Sequence, residues 1–116
     1  MTVVSIDRDA DFSLQIMRKT GVVMAYFWAP WCEPCKAIGD EIVAAANQFT
    51  GNVRVLRVNV DAMQNLAKKY TIVAVPTLLF FQDSKPIKRI IGYTSQEEVV
   101  KVLTTLLGAP QPPEAS

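Results

Sequence analysis

Residues 22–36 read VVMAYFWAPWCEPCK. Residues 22–28 within this stretch are continuously apolar, which is typical of a central strand covered on both faces. Pro30 closes the strand, and Pro34 stands where the first turn of a helix tolerates proline. We therefore predict a buried strand that leads directly into a helix, with Cys32 at the junction between them.

The rest of the chain alternates between strand and helix patterns. Asp9 or Asp11 should cap a first helix that ends at Gly21, and residues 95–98 form a capping box for a last helix that stops at Gly108. Further strands are predicted over residues 2–6, 53–60, 77–81 and 87–91, and further helices from Pro34 to about residue 50 and over 64–70. This β-α-β-α-β-α-β-β-α order predicts an α/β three-layer sandwich with a mixed five-stranded sheet flanked by four helices.

Length and charge limit the classes of function. A chain of 116 residues fits one domain, which we place at residues 1–108, followed by a disordered Pro-rich tail at 109–116. The net charge is +1 and the basic residues are scattered, which argues against nucleic acid as a partner. The longest apolar stretch, residues 22–30, is too short to span a bilayer. No signal-peptide pattern begins the sequence, so we expect a cytoplasmic protein, although a signal removed earlier stays open.

The sequence contains only two cysteines, Cys32 and Cys35. A disulfide that closes so short a loop removes little entropy from the unfolded chain, which indicates a chemical rather than a structural pair. The start of a helix stabilises an anion and so favours the thiolate of Cys32, the attacking species in disulfide exchange. Cys35 lies one turn further along, within bridging distance. We expect Cys32 to be an exposed nucleophile and Cys35 a shielded resolving thiol.

Other interpretations of this pair stay open at this point. Buried thiols can be small apolar fillers of a core. A zinc site needs four ligands, and a chain with two cysteines and no histidine could complete one only by pairing with another chain. Transfer of Cu(I) could use two thiolates, but it does not explain the neighbouring tryptophans and Pro34.

The segment FWAPWCEPCK at residues 27–36 closely resembles the active-site segment of the thioredoxin family. The segment VPTLLFF at residues 75–81, followed by Gly92, resembles a second part of that family's site. The similarity runs from about residue 3 to Gly108. It implies a thioredoxin fold and a protein-disulfide reductase that serves electron transport and cell redox homeostasis. It further implies disulfide-containing client proteins and recycling by a thioredoxin reductase. We expect no bound cofactor, no membrane partner and a monomer.

The resemblance also implies roles for individual residues. The bond before Pro76 should be cis, and the backbone of Val75 should pair with an extended substrate. Trp28 is interpreted as core packing and Trp31 as an exposed functional residue. The residues implied in substrate binding are Trp31, Val60, Ala74, Val75, Pro76, Gly92 and Tyr93, with Pro34 on the same apolar rim. Those implied in supporting the active site are Trp31, Glu33, Pro34, Lys36, Tyr26, Arg57 and Pro76.

One departure from the family pattern lies beneath the cysteines. Tyr26 occupies the position of a buried aspartate, and Arg57 that of its lysine partner. Tyrosine is a poor base at neutral pH, so we predict slower resolution by Cys35 together with a more stable fold. A simpler reading makes Tyr26 a core residue whose hydroxyl binds Arg57 or water.

Three further departures concern the rim and the second helix. Glu33 replaces a glycine beside Cys32, where a carboxylate should raise the Cys32 pKa unless it points into water. Asp40 follows Gly39 where the family has a proline kink, so Gly39 should permit a softer bend. Ala74 replaces a glycine and narrows the backbone freedom beside the substrate.

Two rivals to the reductase remain. The chain could be a binding or scaffold module that keeps the fold with an incidental dithiol, or a metalloprotein that carries electrons. Within disulfide chemistry, an oxidant or an isomerase is the nearest variant.

Overall fold

The computed structural model describes residues 2–17, 20–49 and 51–110. In this part of the chain the element order is the one that the sequence predicts. The strands are β1 (Thr2–Ser5), β2 (Val22–Trp28), β3 (Val53–Asn59), β4 (Thr77–Gln82) and β5 (Lys85–Ile91). The helices are α1 (Asp9–Ile16), α2 (Glu33–Ala46), α3 (Gln64–Lys69) and α4 (Gln96–Leu107).

The described strands form one mixed sheet in the order β1-β3-β2-β4-β5. Strand β3 pairs in parallel with β1 and β2, whereas β4 pairs antiparallel with β2 and β5. The apolar strand β2 is therefore interior to the sheet, and six of its seven residues are buried. The predicted buried strand is confirmed.

Two core clusters lie on opposite faces of the sheet, because successive side chains of a strand alternate between its faces. One cluster joins Met24 and Tyr26 to residues of α2 and α4, and it contains both cysteines. The other joins Ala25 and Phe27 to residues of α1 and α3. The sheet is therefore the middle layer of the predicted three-layer sandwich, with one cluster between it and the helices on each side.

Several local expectations need correction. Arg8, not Asp9 or Asp11, is the N-cap residue of α1, and its guanidinium pairs with the Asp11 carboxylate at 3.0 Å. Helix α1 ends at Ile16, well before Gly21. Helix α2 ends at Ala46, because the amides of residues 48 and 49 bond to carbonyls three residues back and tighten the chain into a turn.

The C-terminal half follows its turn signals more closely. Asp83 and Ser84 both have positive φ, which is the geometry of a two-residue hairpin turn, so β5 begins at Lys85 rather than at residue 87. The Ser95 side chain accepts a hydrogen bond from the Glu98 amide at 3.3 Å and caps α4 as predicted. Residues 111–116 of the predicted tail lie outside the described residues. Within the described ranges, no helix has the length and apolar character needed to cross a membrane.

Candidate redox site

The two cysteines form a disulfide at the start of α2. Cys32 is the N-cap residue, and its Sγ accepts a hydrogen bond from the Cys35 amide at 3.2 Å. The Cα atoms of the pair are 5.4 Å apart. The first amides of a helix lack intrahelical partners and carry the positive end of its dipole. A thiolate on Cys32 would therefore receive a hydrogen bond and a favourable field from the same turn.

The expected difference in exposure between the two sulfurs is absent from this oxidised state. Cys32 is 4% exposed and Cys35 is 3% exposed, so the prediction of an exposed Cys32 is wrong for the disulfide. The reason is local. The bond to Cys35 holds the Cys32 side chain against the core cluster that also contains Ala29 and Ile38.

The loop before β4 carries the second predicted segment. The Val75–Pro76 peptide bond is cis, as the resemblance implied. The Thr77 hydroxyl donates to the Ala74 carbonyl at 2.7 Å, and the Gly92 amide donates to the Pro76 carbonyl at 2.8 Å. These bonds connect the loop to the first residue of β4 and to the residue that follows β5.

The implied rim residues differ in exposure. Trp31 and Tyr93 are each 68% exposed, and Pro34 and Ala74 are also exposed. Val60 and Val75 are half-buried and pack against the cluster that contains the cysteines. Gly92 is half-buried and Pro76 is buried. Trp28 is half-buried against the same cluster, in agreement with its interpretation as a packing residue.

Asp61 is a site residue that the sequence reasoning missed. The Trp31 indole N–H donates to the Asp61 carboxylate, with Nε1–O distances of 3.1 and 3.4 Å. The Asn59 side chain accepts from the Asp61 amide at 2.9 Å and so holds the turn that presents this carboxylate. An asparagine two residues before an aspartate at a strand end is the signal that could have identified the turn.

The Tyr26 hydroxyl donates to the backbone carbonyl of Cys35. The hydroxyl therefore bonds to a backbone carbonyl rather than to Arg57, the side-chain partner that the sequence suggested. Burial raises the pKa of Tyr26 to about 12, and the positive charge of Arg57 opposes this shift. Tyr26 is thus a neutral hydrogen-bond donor to the first turns of α2 at neutral pH.

Glu33 and Lys36 lie on the outer surface of the first turn of α2. The Glu33 side chain is 85% exposed, and its carboxylate lies 3.4 Å from the Lys36 ammonium. The carboxylate therefore points into water, the alternative that the sequence left open. An ion pair this exposed contributes little to stability.

A cavity of about 270 Å³ reaches Cys35 from beneath, and we call it the Cys35 cavity. Tyr26 of β2 and Arg57 of β3 line it, together with Lys36, Gly39 and Asp40 of α2. Among the described residues, no group of three or more His, Cys, Asp or Glu side chains could hold a metal ion.

Comparison with known proteins agrees with this geometry. The family model described as Thioredoxin matches residues 3–105. The chain belongs to the thioredoxin family. It is 34% identical over 103 residues to a thioredoxin of Staphylococcus aureus (strain Mu50 / ATCC 700699), a match that covers 89% of this chain and 96% of that protein.

Two solved structures are similar to this fold. A thioredoxin of Malassezia sympodialis is 30% identical with a TM-score of 0.79, and the match covers 90% of each chain. A mutant thioredoxin of Halobacterium salinarum NRC-1 is 23% identical with a TM-score of 0.80, covers 90% of this chain and 89% of that one, and supports the fold alone. The thioredoxin membership and the bonded cysteine pair make this protein a thiol–disulfide oxidoreductase that acts as a protein-disulfide reductase.

Proposed function

We propose that this thioredoxin reduces client disulfides with Cys32 as the nucleophile and Cys35 as the resolving thiol. The Cys32 thiolate attacks one sulfur of the client disulfide, forms a mixed disulfide and releases the first client thiolate. Cys35, as a thiolate, then attacks the Cys32 sulfur and releases the second client thiolate. The client gains two electrons and, from water, two protons, while the dithiol becomes the disulfide. The observation that carries this assignment is the Cys35 amide at 3.2 Å from the Cys32 sulfur at the start of α2.

The assignment of the two roles follows from position in the helix. A thiolate at Cys32 is the better attacking group, because it accepts a hydrogen bond from the Cys35 amide at the start of α2. Cys35 lies within the helix, and its carbonyl is held by Tyr26. Cys35 therefore stays close to the Cys32 sulfur and is positioned to attack it once the mixed disulfide has formed.

The proposed client surface is the rim beside the disulfide. An extended client segment pairs with the backbone of Val75 next to Pro76. The exposed faces of Trp31 and Tyr93 give it apolar contacts, and Pro34 and Ala74 complete the edge. Gly92 and Val60 lie further in and shape the floor of this surface.

The wider setting belongs to the same proposal. We place the protein in the cytoplasm as a monomer that carries electrons from a thioredoxin reductase to clients and needs no bound cofactor. Residues 1–108 act as the catalytic domain. Sedimentation of the reduced and oxidised protein tests the oligomeric state, and a coupled assay with a thioredoxin reductase and NADPH tests the recycling step.

Reduction of insulin driven by dithiothreitol tests the reaction. Wild type should accelerate the precipitation of the insulin B chain, and Cys32→Ser should abolish this acceleration. A wild type no faster than Cys32→Ser would favour the scaffold alternative. In Cys35→Ser, clients should accumulate as mixed disulfides on Cys32, and their absence would contradict the assigned roles.

A further inference from the structure

Resolution needs a proton acceptor for Cys35. The attacking species in disulfide exchange is the thiolate, and an unperturbed cysteine is mostly protonated at neutral pH. Cys35 is buried on the core side of α2, so bulk water does not reach its sulfur directly. The Cys35 cavity provides solvent-accessible space beside this residue.

The Cys35 cavity is large enough for several water molecules, since water occupies about 30 Å³ in the liquid. Charged residues line it together with Cys35, and Lys36, Asp40 and Arg57 are all exposed, so the cavity extends to the surface. Among the described side chains of β1, Val3 is the one that lines the cavity, and the described ionisable groups of the lining come from α2, β2 and β3.

Most of these ionisable groups are unsuited to accept a proton. The Tyr26 hydroxyl already donates to the Cys35 carbonyl, and burial favours its neutral form. Lys36 pairs with Glu33 and Arg57 lies over Trp28, and both are cations. The remaining ionisable group of the described lining is the carboxylate of Asp40. Among the described residues it has no ion pair or hydrogen bond that would occupy it.

We propose that the carboxylate of Asp40 accepts the Cys35 proton through water in the Cys35 cavity. The inference rests on the proposed function, because it concerns the resolving step. The proton passes from the Cys35 sulfur through water to Asp40. The thiolate then attacks the Cys32 sulfur, forms the Cys32–Cys35 bond and breaks the bond to the client. The departing client thiolate takes a proton from water, and Asp40 returns its own to solvent.

The direction in which the rate of resolution changes when the Asp40 carboxylate is removed distinguishes a proton acceptor from a purely electrostatic effect. A negative charge near Cys35 disfavours the thiolate, so removing it by field effects alone should speed resolution. Removing a proton acceptor should slow resolution instead. A base in direct contact contributes typically about 10²–10⁴-fold. For a base that acts through water, we expect about a tenfold loss near pH 7.

Stopped-flow reaction of the reduced protein with dithiobis-nitrobenzoate measures the two steps separately. Attack by Cys32 releases a first coloured thionitrobenzoate, and resolution by Cys35 releases a second. Asp40→Asn should slow the second release about tenfold near pH 7 and leave the first release as in wild type. The difference should shrink as the pH approaches the ordinary thiol pKa of about 8.5, where Cys35 ionises without help.

The matched control is Glu41→Gln, which removes the same charge one residue along α2 from a side chain that does not line the Cys35 cavity. It should resolve at the wild-type rate. A second release in Asp40→Asn that equals or exceeds that of wild type would overturn the proposal, as would an equal loss in Glu41→Gln. A wild type that releases a single thionitrobenzoate per chain would instead overturn the proposed role of Cys35 itself.

Discussion

The guanidinium of Arg57 lies 5.0 Å from the centroid of the Trp28 ring. Arg57 is opposite Tyr26 in the parallel β2–β3 ladder, but its charged end covers the neighbouring tryptophan rather than bonding to the phenol. Both residues line the Cys35 cavity, so this contact forms part of its wall. A cation over an aromatic face is attractive, and Trp is the strongest aromatic partner.

Replacing Arg57 should therefore weaken the fold modestly. We expect Arg57→Gln to lower the free energy of unfolding by about 0.5–1 kcal/mol, the range for an exposed cation–π contact. Urea unfolding measures the loss. In a Trp28→Leu background the same substitution should cost less, and equal costs in both backgrounds would show that the contact contributes nothing.

Gly39 is expected to be a site where stability can be gained. It lies inside helix α2, and a Cβ built there would be 3.9 Å from Cε2 of Tyr26, an ordinary contact distance. Gly39→Ala should raise the free energy of unfolding by about 0.5–1 kcal/mol through helix propensity. Thermal and urea unfolding check this, and a loss of stability would support the softer bend that the sequence suggested.

Gly21 provides the contrast. Its φ is +80°, and a Cβ there would lie 2.4 Å from the Asn52 carbonyl oxygen. Gly21→Ala should destabilise the protein, because both the backbone conformation and the close approach exclude a side chain. The free energy of unfolding should therefore rise in Gly39→Ala and fall in Gly21→Ala. This difference would show that the effect of alanine depends on the local backbone and not on the substitution itself.

Tyr26 should make stability fall in alkaline solution. An unfolded tyrosine titrates near pH 10, whereas burial raises the pKa of folded Tyr26 to about 12. The contribution of Tyr26 is complete below about pH 10 and is lost as the pH rises towards about 12, because only the unfolded chain ionises in that range. Urea midpoints of wild type should fall more steeply over this range than those of Tyr26→Phe. Tyr70, whose pKa burial also raises, is present in both proteins, and parallel curves would contradict the prediction.

The fold could be predicted because its signals are local. The apolar run of β2, the turn at Asp83 and Ser84, and the Ser95 cap each act within a few residues. The N-terminus of α1 was mispredicted for a physical reason. Aspartate is a common N-cap, but Asp11 instead pairs with Arg8 across the first turn.

In the candidate site, too, the local features could be predicted from the sequence and the long-range contacts could not. The cysteine pair is local to one helical turn, so its spacing predicts bridging. The Trp31–Asp61 bond joins residues 30 positions apart and depends on how the loops after β2 and β3 meet. The Tyr26 hydroxyl bonds to the Cys35 carbonyl, one of many backbone acceptors in the chain, and this pairing depends on how α2 packs against β2. Neither distance is encoded in a short sequence pattern.

The exposed Glu33 carboxylate should have a small effect on the redox potential. Removing a negative charge beside Cys32 stabilises the thiolate, and hence the reduced form, so Glu33→Gly should raise the potential. We expect a rise of about 15 mV or less, equivalent to about 0.7 kcal/mol, because the pair with Lys36 is exposed. Equilibration with glutathione measures it. Lys36→Gln should shift the potential in the opposite direction, and a fall in Glu33→Gly would refute the electrostatic account.

The Trp31–Asp61 hydrogen bond should matter for client binding more than for sulfur chemistry. It holds an exposed indole in one orientation at the rim, so a client does not have to order that side chain when it binds. Asp61→Ala should therefore raise KM for insulin about two- to fivefold, which corresponds to about 0.5–1 kcal/mol of side-chain ordering. The first release from dithiobis-nitrobenzoate should stay at the wild-type rate, because this small reagent does not need the rim. Asp61→Asn retains an oxygen acceptor for the indole and should recover part of the lost affinity. A KM unchanged in Asp61→Ala, or an equal loss with insulin and with the small disulfide, would show that the orientation of Trp31 does not contribute to client recognition.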